Sequence, residues 1–252
     1  MPDFGLSGRT ALITGSSKGI GFALAQGLAQ AGARIVLNAR SAGPLQAAAE
    51  RLRRQGAEVD VLAFDVTDAE AVRAAVDSYE ATRAIDILVN NAGMTYRAPL
   101  EDFPVEEFDR IMRTNVYSAF HVGQACARHM IARGRGKIIN IASVQTALSR
   151  PGIAPYATSK GAIANLTKGM ATDWAKHGLN CNAIAPGYFE TELTAALVKD
   201  AEFTAWLEKR TPQGRWGKVE ELQGSAVFLA SEAAGFVNGH TLFVDGGMTA
   251  CV

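Results

Sequence analysis

From residue 9 onward, short apolar runs alternate with longer stretches whose apolar positions recur at helical spacing. The runs RTALIT (9–14), ARIVLNA (33–39), EVDVLAF (58–64), DILVN (86–90), GKIINIA (136–142), LNCNAIA (179–185) and TLFV (241–244) have strand length and strand-like composition. Helical patterns cover Ile20–Ala31, Leu45–Gln55, Ala69–Ala81 and a long stretch from Val105 to Arg133; another helix carries Tyr156, and further helical segments fall across 190–230. Several strands are apolar without alternation, as strands covered on both faces are. Seven β-runs interleaved with helices predict an α/β protein, a doubly wound, mostly parallel seven-stranded sheet with helices on both faces. No linker, low-complexity tract or internal repeat interrupts the pattern, so residues 1–252 are expected to form a single domain with halves at about 1–140 and 141–252.

Composition narrows the classes. The 25 basic and 25 acidic side chains cancel, leaving no basic stripe to follow a phosphodiester backbone, so nucleic acid is not an expected partner. No apolar run reaches the roughly 18 residues of a membrane span, and the start, MPDFGLSGRT, has no signal-peptide pattern. The expectation is a soluble cytoplasmic protein with no membrane partner. Cys126, Cys181 and Cys251 are widely spaced and are expected to be buried thiols. His121, His129, His177 and His240 show no metal-ligand spacing, so no metal is expected; His121, Cys126 and His129, if they share one helix, are expected to pack.

The chemistry falls after the strands, where a doubly wound sheet binds its ligands. After the first strand comes Thr14-Gly15-Ser16-Ser17-Lys18-Gly19-Ile20-Gly21, spaced G-x-x-x-G-x-G. Glycines there allow a tight turn and close approach of a pyrophosphate to a helix N-terminus. After the second strand, where an acid would bind a ribose 2′-hydroxyl, the chain has Asn38-Ala39-Arg40. Arg40 suits a 2′-phosphate, with Lys18 as a second cation; the alternative is a solvated surface charge. Asp65-Val66 stands at the adenine edge, although Asp65 could equally cap the next helix. Asn90-Asn91-Ala92-Gly93 ends the fourth strand, Asn115 lies inside the long helix, and Pro186-Gly187 begins a turn that runs to Thr191.

Ser143 is followed by Tyr156 after twelve residues and by Lys160 four positions later. Pro155 marks a first helical turn, and i, i+4 spacing puts Tyr156 and Lys160 on one face. A phenol with a pKa of about 10 is a poor base near neutrality, and a cation nearby would favour phenolate. The preceding hydroxyl of Ser143 could hold a substrate oxygen. Alone, the pair is also an ordinary amphipathic helix face.

Taken in order, Thr14–Gly21, Asn90–Gly93, Asn115, Ser143, Tyr156, Lys160 and Pro186-Gly187 closely resemble the short-chain dehydrogenase/reductase family over essentially the whole chain. The resemblance implies a Rossmann-type domain, a nicotinamide cofactor and an Asn115-Ser143-Tyr156-Lys160 tetrad. Tyr156 would be the acid/base, Ser143 would hold the carbonyl or alcohol oxygen, and Asn115 would support a water relay to Lys160. Lys160 would lower the Tyr156 pKa and bind the nicotinamide ribose. Asn91, Ala92 and Gly93 would line the cofactor, and the backbone at 186–189 with Thr191 would hold the carboxamide. NADP(H) is the preferred cofactor, with NAD(H) left open, and a homotetramer is implied.

Within the family, RPGIAPY, IAPGYFETEL, FTAWLEKRTP, EELQGSAVFLAS and FVNGHTLFVDGG are similar to the gluconate 5-dehydrogenase (5-keto-D-gluconate 5-reductase) group. That group tends to show two adjacent arginines after the NNAG segment, where this chain has Tyr96-Arg97, and often a Glu where this chain has Ala147. The expected substrate residues are Arg97, Arg150, Ser143, Gln145 and Tyr156, with the two arginines at the pocket mouth for a sugar-acid carboxylate. A 3-oxoacyl carrier-protein reductase or another polyol reductase is the alternative. A scaffold without chemistry would have lost Tyr156 or Lys160, and Ser143 lies in no G-x-S-x-G of a serine hydrolase.

Overall fold

Every strand pairing in the protein is parallel. The computed structural model describes residues 3–192 and 194–251. Its strands are Thr10–Ile13 (β1), Arg34–Leu37 (β2), Val59–Val61 (β3), Ile87–Asn90 (β4), Gly136–Ile141 (β5), Leu179–Pro186 (β6) and Thr241–Val244 (β7). They form one sheet in the order β3-β2-β1-β4-β5-β6-β7. The helices are Gly19–Gln30 (α1), Ala42–Arg53 (α2), Ala69–Glu80 (α3), Val105–Met112 (α4), Ser118–Arg133 (α5), Ala154–Trp174 (α6), Ala195–Val198 (α7), Ala201–Arg210 (α8) and Gln223–Ala230 (α9).

The unbroken apolar strands follow from helices on both faces. Ala11, Ile13, Ile35, Leu37, Ile87, Val89, Ile139 and Ile141 share one core with Leu24 and Leu28 of α1, Leu45 and Leu52 of α2, and Leu229 of α9. The intervening Leu12, Val36, Leu88 and Ile138 face the opposite core, with Val72 and Val76 of α3, Val122, Cys126 and Met130 of α5, and Met170 of α6. A polar residue at either set would be buried, so alternation disappears from the sequence.

Several features differ from the sequence pattern. β3 stops at Val61 because the Asn38 side-chain amide donates to the carbonyls of Leu62 (3.0 Å) and Phe64 (3.2 Å), drawing the chain out of the sheet. The Val105–Arg133 stretch is continuous but contains a π-helical turn at Arg113–Tyr117, between α4 and α5. Between 190 and 230 the helices are the separate α7, α8 and α9, and Leu193 lies outside the described residues. Cys251, expected to be buried, is exposed and accepts a hydrogen bond from Arg210 Nη1 at 3.0 Å, whereas Cys126 and Cys181 are buried. His129 points out of its core and meets Asp77 at 2.7 Å. No helix among the described residues is long and apolar enough to cross a membrane.

A buried polar seam fixes α6 to the sheet. Asn90 Nδ2 donates to Asn140 Oδ1 at 2.9 Å, and Asn140 Nδ2 donates to Thr167 Oγ1 of α6 at 2.9 Å. Asn140 and Thr167 are fully buried. Replacing Asn140 with Ala removes one bond from each partner, leaving Asn90 Nδ2 only the Ala119 carbonyl (3.3 Å) and Thr167 Oγ1 only the Ile163 carbonyl (2.8 Å), a loss of about 1–3 kcal/mol. Urea unfolding of Asn140→Ala should show a midpoint lowered accordingly with an unchanged slope; an unchanged midpoint would show that the seam contributes nothing to stability.

Candidate active site

β1 pairs with β2 on one side and β4 on the other, so the crossovers leave in opposite directions and open a cleft beyond the carboxyl ends of these strands. The turn from β1 into α1 lines it. Gly15 (φ +61°) and Gly19 (φ +57°) adopt left-handed backbone that other residues resist. At Gly21 a Cβ would lie 2.4 Å from Asn91 Nδ2 and 2.7 Å from the Gly15 carbonyl oxygen, so close packing alone requires glycine there. Asn91 ties the turn to the end of β4 by donating from Nδ2 to the carbonyls of Thr14 (2.9 Å) and Gly15 (3.0 Å). Thr14 Oγ1 accepts in return from the backbone N–H groups of Asn91 (3.0 Å) and Ala92 (3.1 Å).

The cleft encloses about 700 Å³ and runs from this turn to Tyr156 and Lys160. Gly15, Ser17, Lys18, Gly19, Ile20 and Gly21 form one wall, and Arg40, Asp65 and Val66 lie at one end. Asn91, Ala92 and Gly93 line the middle, while Pro186, Gly187 and Thr191 border the other side. Asp65 does not cap α3: its Oδ1 accepts from Thr67 N (2.9 Å) and Thr67 Oγ1 (2.8 Å), and Asp68 is the cap. Burial works against its charge, but the Thr67 hydrogen bonds and nearby Arg40 hold its carboxyl below the usual range. Lys18 is turned toward the opposite wall, 2.6 Å from Glu192. Thr191 and Thr194 bond each other, Oγ1 to Oγ1 at 3.0 Å.

Ser143, Tyr156 and Lys160 converge at the deep end. Pro155 occupies the first turn of α6, and the following residues project Tyr156 and Lys160 from one face. Lys160 is 5% exposed, its Nζ donates to the Ile141 carbonyl at 2.7 Å, and it lies 5.7 Å from the centroid of the Tyr156 ring. Burial lowers its pKa to about 8. Burial also holds the Tyr156 phenol above its ordinary value, against the hydrogen bond with Ser143; a lowering by Lys160 is not what sets it here. Ser143 starts a short turn, its Oγ accepting from Gln145 N at 3.2 Å.

Asn115 stands behind the cleft, in the π-helical turn. Its Oδ1 accepts from Met94 N (2.8 Å), and its Nδ2 donates to the Met94 carbonyl (3.0 Å) and to Ser159 Oγ (2.9 Å). A Cβ on Gly93 would lie 3.4 Å from Asn115 Oδ1 and 3.8 Å from Lys160 Nζ, so Gly93 borders both groups. Ser159 donates onward to the Tyr156 carbonyl at 2.7 Å, linking the π-turn to α6. Thr14, Ser159 and Glu192 carried no separable signal in the sequence: each is a common residue type whose partner lies far along the chain.

Outside the cleft proper, the loop after β4 meets the loop before α6, with Ala98 N donating to the Gly152 carbonyl at 3.2 Å. This brings Arg97 and Arg150 together. Among the described residues neither guanidinium has a carboxylate within salt-bridge distance. Arg150 packs over the Phe203 ring at 5.3 Å, and its buried Nε has no partner. Desolvation and the Arg150 charge pull the Arg97 guanidinium below its usual pKa. Gln145 is 7% exposed and donates from Nε2 to the Tyr188 hydroxyl at 3.4 Å.

Comparison with known proteins gives a consistent family. Residues 15–249 match the family model described as enoyl-(acyl carrier protein) reductase. The chain is 59% identical over 250 residues to gluconate 5-dehydrogenase of Gluconobacter oxydans (strain 621H), covering 98% of each. It is 50% identical over 250 residues to 5-keto-D-gluconate 5-reductase of Escherichia coli (strain K12), covering 99% of this chain and 98% of that one. Among solved structures, a gluconate 5-dehydrogenase from Burkholderia cenocepacia J2315 in complex with NADP and tartrate superposes with a TM-score of 0.98 at 59% identity, covering 100% of this chain and 99% of the other. With the Ser143, Tyr156 and Lys160 side chains gathered at the end of a doubly wound sheet, this chain belongs to the short-chain dehydrogenase/reductase family.

Proposed function

We propose that the chain is an NADP(H)-dependent oxidoreductase that interconverts D-gluconate and 5-keto-D-gluconate. The observation that carries this reading is the continuity of the site. A glycine-lined cleft leads to Ser143, Tyr156 and Lys160, and the neighbouring loops after β4 and before α6 carry Arg97 and Arg150, neither with an acid partner among the described residues. The relatives' activities and the NADP of the superposed structure agree with it.

The cleft's donor set fits a nicotinamide dinucleotide. Left-handed Gly15 and Gly19, with the N-terminus of α1 beside them and no acid in its first turn, suit a pyrophosphate. Arg40 supplies a fork for a 2′-phosphate. Lys18 is drawn to Glu192, so a second cation at that phosphate requires breaking this exposed pair. The nicotinamide, when bound, supplies or accepts the hydride.

The chain's residues handle the proton and the oxygen. Tyr156 donates its phenolic proton to the nascent alkoxide on reduction and withdraws it on oxidation. Ser143 holds the same substrate oxygen. Lys160, charged below about pH 8, favours the phenolate that forms and holds the ribose side of the cleft. Asn115 fixes the start of α6 through Met94 and Ser159, and with Gly93 borders the space beside Lys160. Arg97 and Arg150 hold the carboxylate, with Gln145 beside them. The same reading includes a cytoplasmic homotetramer, for which Val105, Phe108, Tyr117 and Phe120 offer an exposed apolar face along α4 and α5.

Removing only the phenolic oxygen separates chemistry from binding. Tyr156→Phe should abolish turnover while the NADPH dissociation constant, read by fluorescence titration, stays nearly unchanged; substantial residual activity would remove Tyr156 from the proton transfer. Arg40→Ala should weaken NADP(H) by about 1.5–3 kcal/mol, as for hydrogen bonds to a charged group, and leave NAD(H) little affected. Equal weakening of both cofactors by calorimetry would defeat the 2′-phosphate assignment.

A further inference from the structure

Tyr188 lies just past the Pro186-Gly187 turn, where β6 leaves the sheet. Its ring is held by three aromatic neighbours, Phe203 at 5.6 Å, Trp216 at 5.9 Å and Trp206 at 6.2 Å between centroids, the last two edge-on. Phe203 is also the ring on which Arg150 rests. Helix α8 and the segment around Trp216 therefore fix the Tyr188 phenol and the Arg150 guanidinium as one unit.

The hydroxyl of this phenol is placed among donors. Gln145 Nε2 donates to it at 3.4 Å, and the Arg150 charge nearby favours the ionised form of the phenol against its burial. Arg97 lies within electrostatic reach of the same oxygen, brought there by the Ala98–Gly152 backbone bond. A phenolic oxygen has two acceptor positions and one proton. With one acceptor position taken by Gln145 and guanidinium charges nearby, the proton is what the hydroxyl has to give, and a donor bound to the oxygen strengthens it as a donor. No carboxylate among the described residues is within salt-bridge distance of either arginine. The Arg150 Nε and Gln145 Oε1, both buried, lack partners. The cluster lies beside the reacting end, since Gln145, which meets the Tyr188 hydroxyl, donates from its backbone N to Ser143 Oγ at 3.2 Å.

We propose that Tyr188 is a specificity-determining residue that donates its hydroxyl hydrogen bond to the substrate carboxylate, completing a cradle with Arg97 and Arg150. It deepens the sugar-acid reading and rests on it for the identity of the anion. The vacant acceptor on Gln145 then faces a hydroxyl of the same substrate, whose O–H it can receive. Such a cradle selects an anion flanked by hydroxyls over a neutral polyol, because the neutral compound leaves two guanidiniums and a polarised phenol without an acceptor.

Tyr188→Phe tests this with little disturbance, since the ring and its aromatic nest remain. Gluconate binding to the enzyme–NADP+ complex is read by quenching of tryptophan fluorescence, Trp206 and Trp216 being next to the phenol, and independently of turnover. Loss of one hydrogen bond to a charged group predicts about a 10-fold weaker dissociation constant for gluconate or more, with affinity for D-glucitol and NADP+ unchanged. Arg97→Ala should show the same discrimination between the two compounds. An unchanged gluconate affinity in Tyr188→Phe, or an equal loss for D-glucitol, overturns the proposal, as does failure of wild type to bind gluconate. Wild-type binding that is tight and sensitive to Tyr188→Phe, but followed by no oxidation of gluconate, would instead sustain the cradle and refute the gluconate activity.

Discussion

Lys160 is buried with no acid beside it among the described residues, and much of the site is arranged around that fact. An ammonium removed from water without a counter-charge is unfavourable, which is why its pKa falls to about 8. The protein compensates in part with the Ile141 carbonyl at the end of β5, 2.7 Å from Nζ. Keeping the lysine there demands that α6 be fixed closely against the sheet. The Asn90–Asn140–Thr167 seam and the Asn115–Ser159 bond supply that fixation from two directions. Stability follows with a definite sign: because the folded-state pKa lies below the ordinary lysine value, the burden is present at low pH and is relieved as pH rises past about 8.

The charges divide the site into three zones. At the far end of the cleft Arg40 lies near Asp65, whose carboxyl it helps keep ionised. In the middle, glycine backbone and a helix N-terminus offer neutral donors. In the loops near Ser143 and Gln145, two guanidiniums have no acid partner among the described residues, and the Tyr188 phenol accepts from Gln145. On the proposed reading, these zones would meet phosphate, pyrophosphate and carboxylate with different groups. The middle of the cleft must also admit a large ring system close to the backbone, and Gly21 and Gly93 keep that approach open.

Much of this was legible in the order of residues. The seven strands, the glycine turn, the missing acid before Arg40 and the Tyr156–Lys160 face all follow from local pattern, because each depends on neighbours within a few positions. What was not legible depends on distant partners. Nothing local marks the π-turn at Arg113–Tyr117 that orients Asn115, or the Asn38 amide that ends β3. The pairing of Lys18 with Glu192 joins loops on opposite walls of the cleft, which no local pattern marks. Tyr188 was visible only as part of a turn; its importance arises from Gln145 and three aromatic rings on other elements. The direction of Lys160, toward a backbone carbonyl, is likewise a property of the folded sheet.

On the proposed reading, Ser143 and Tyr156 present one carbon of a six-carbon sugar acid to the cofactor, with Arg97 and Arg150 holding its carboxylate. The most direct measurement is to incubate the purified enzyme with D-gluconate and NADP+ and to identify the product by carbon NMR alongside the NADPH formed. The expected product is 5-keto-D-gluconate, in a yield equal to the NADPH, with the reverse reduction when 5-keto-D-gluconate and NADPH are supplied. Oxidation at another carbon, or no NADPH formation with gluconate at all, would contradict it.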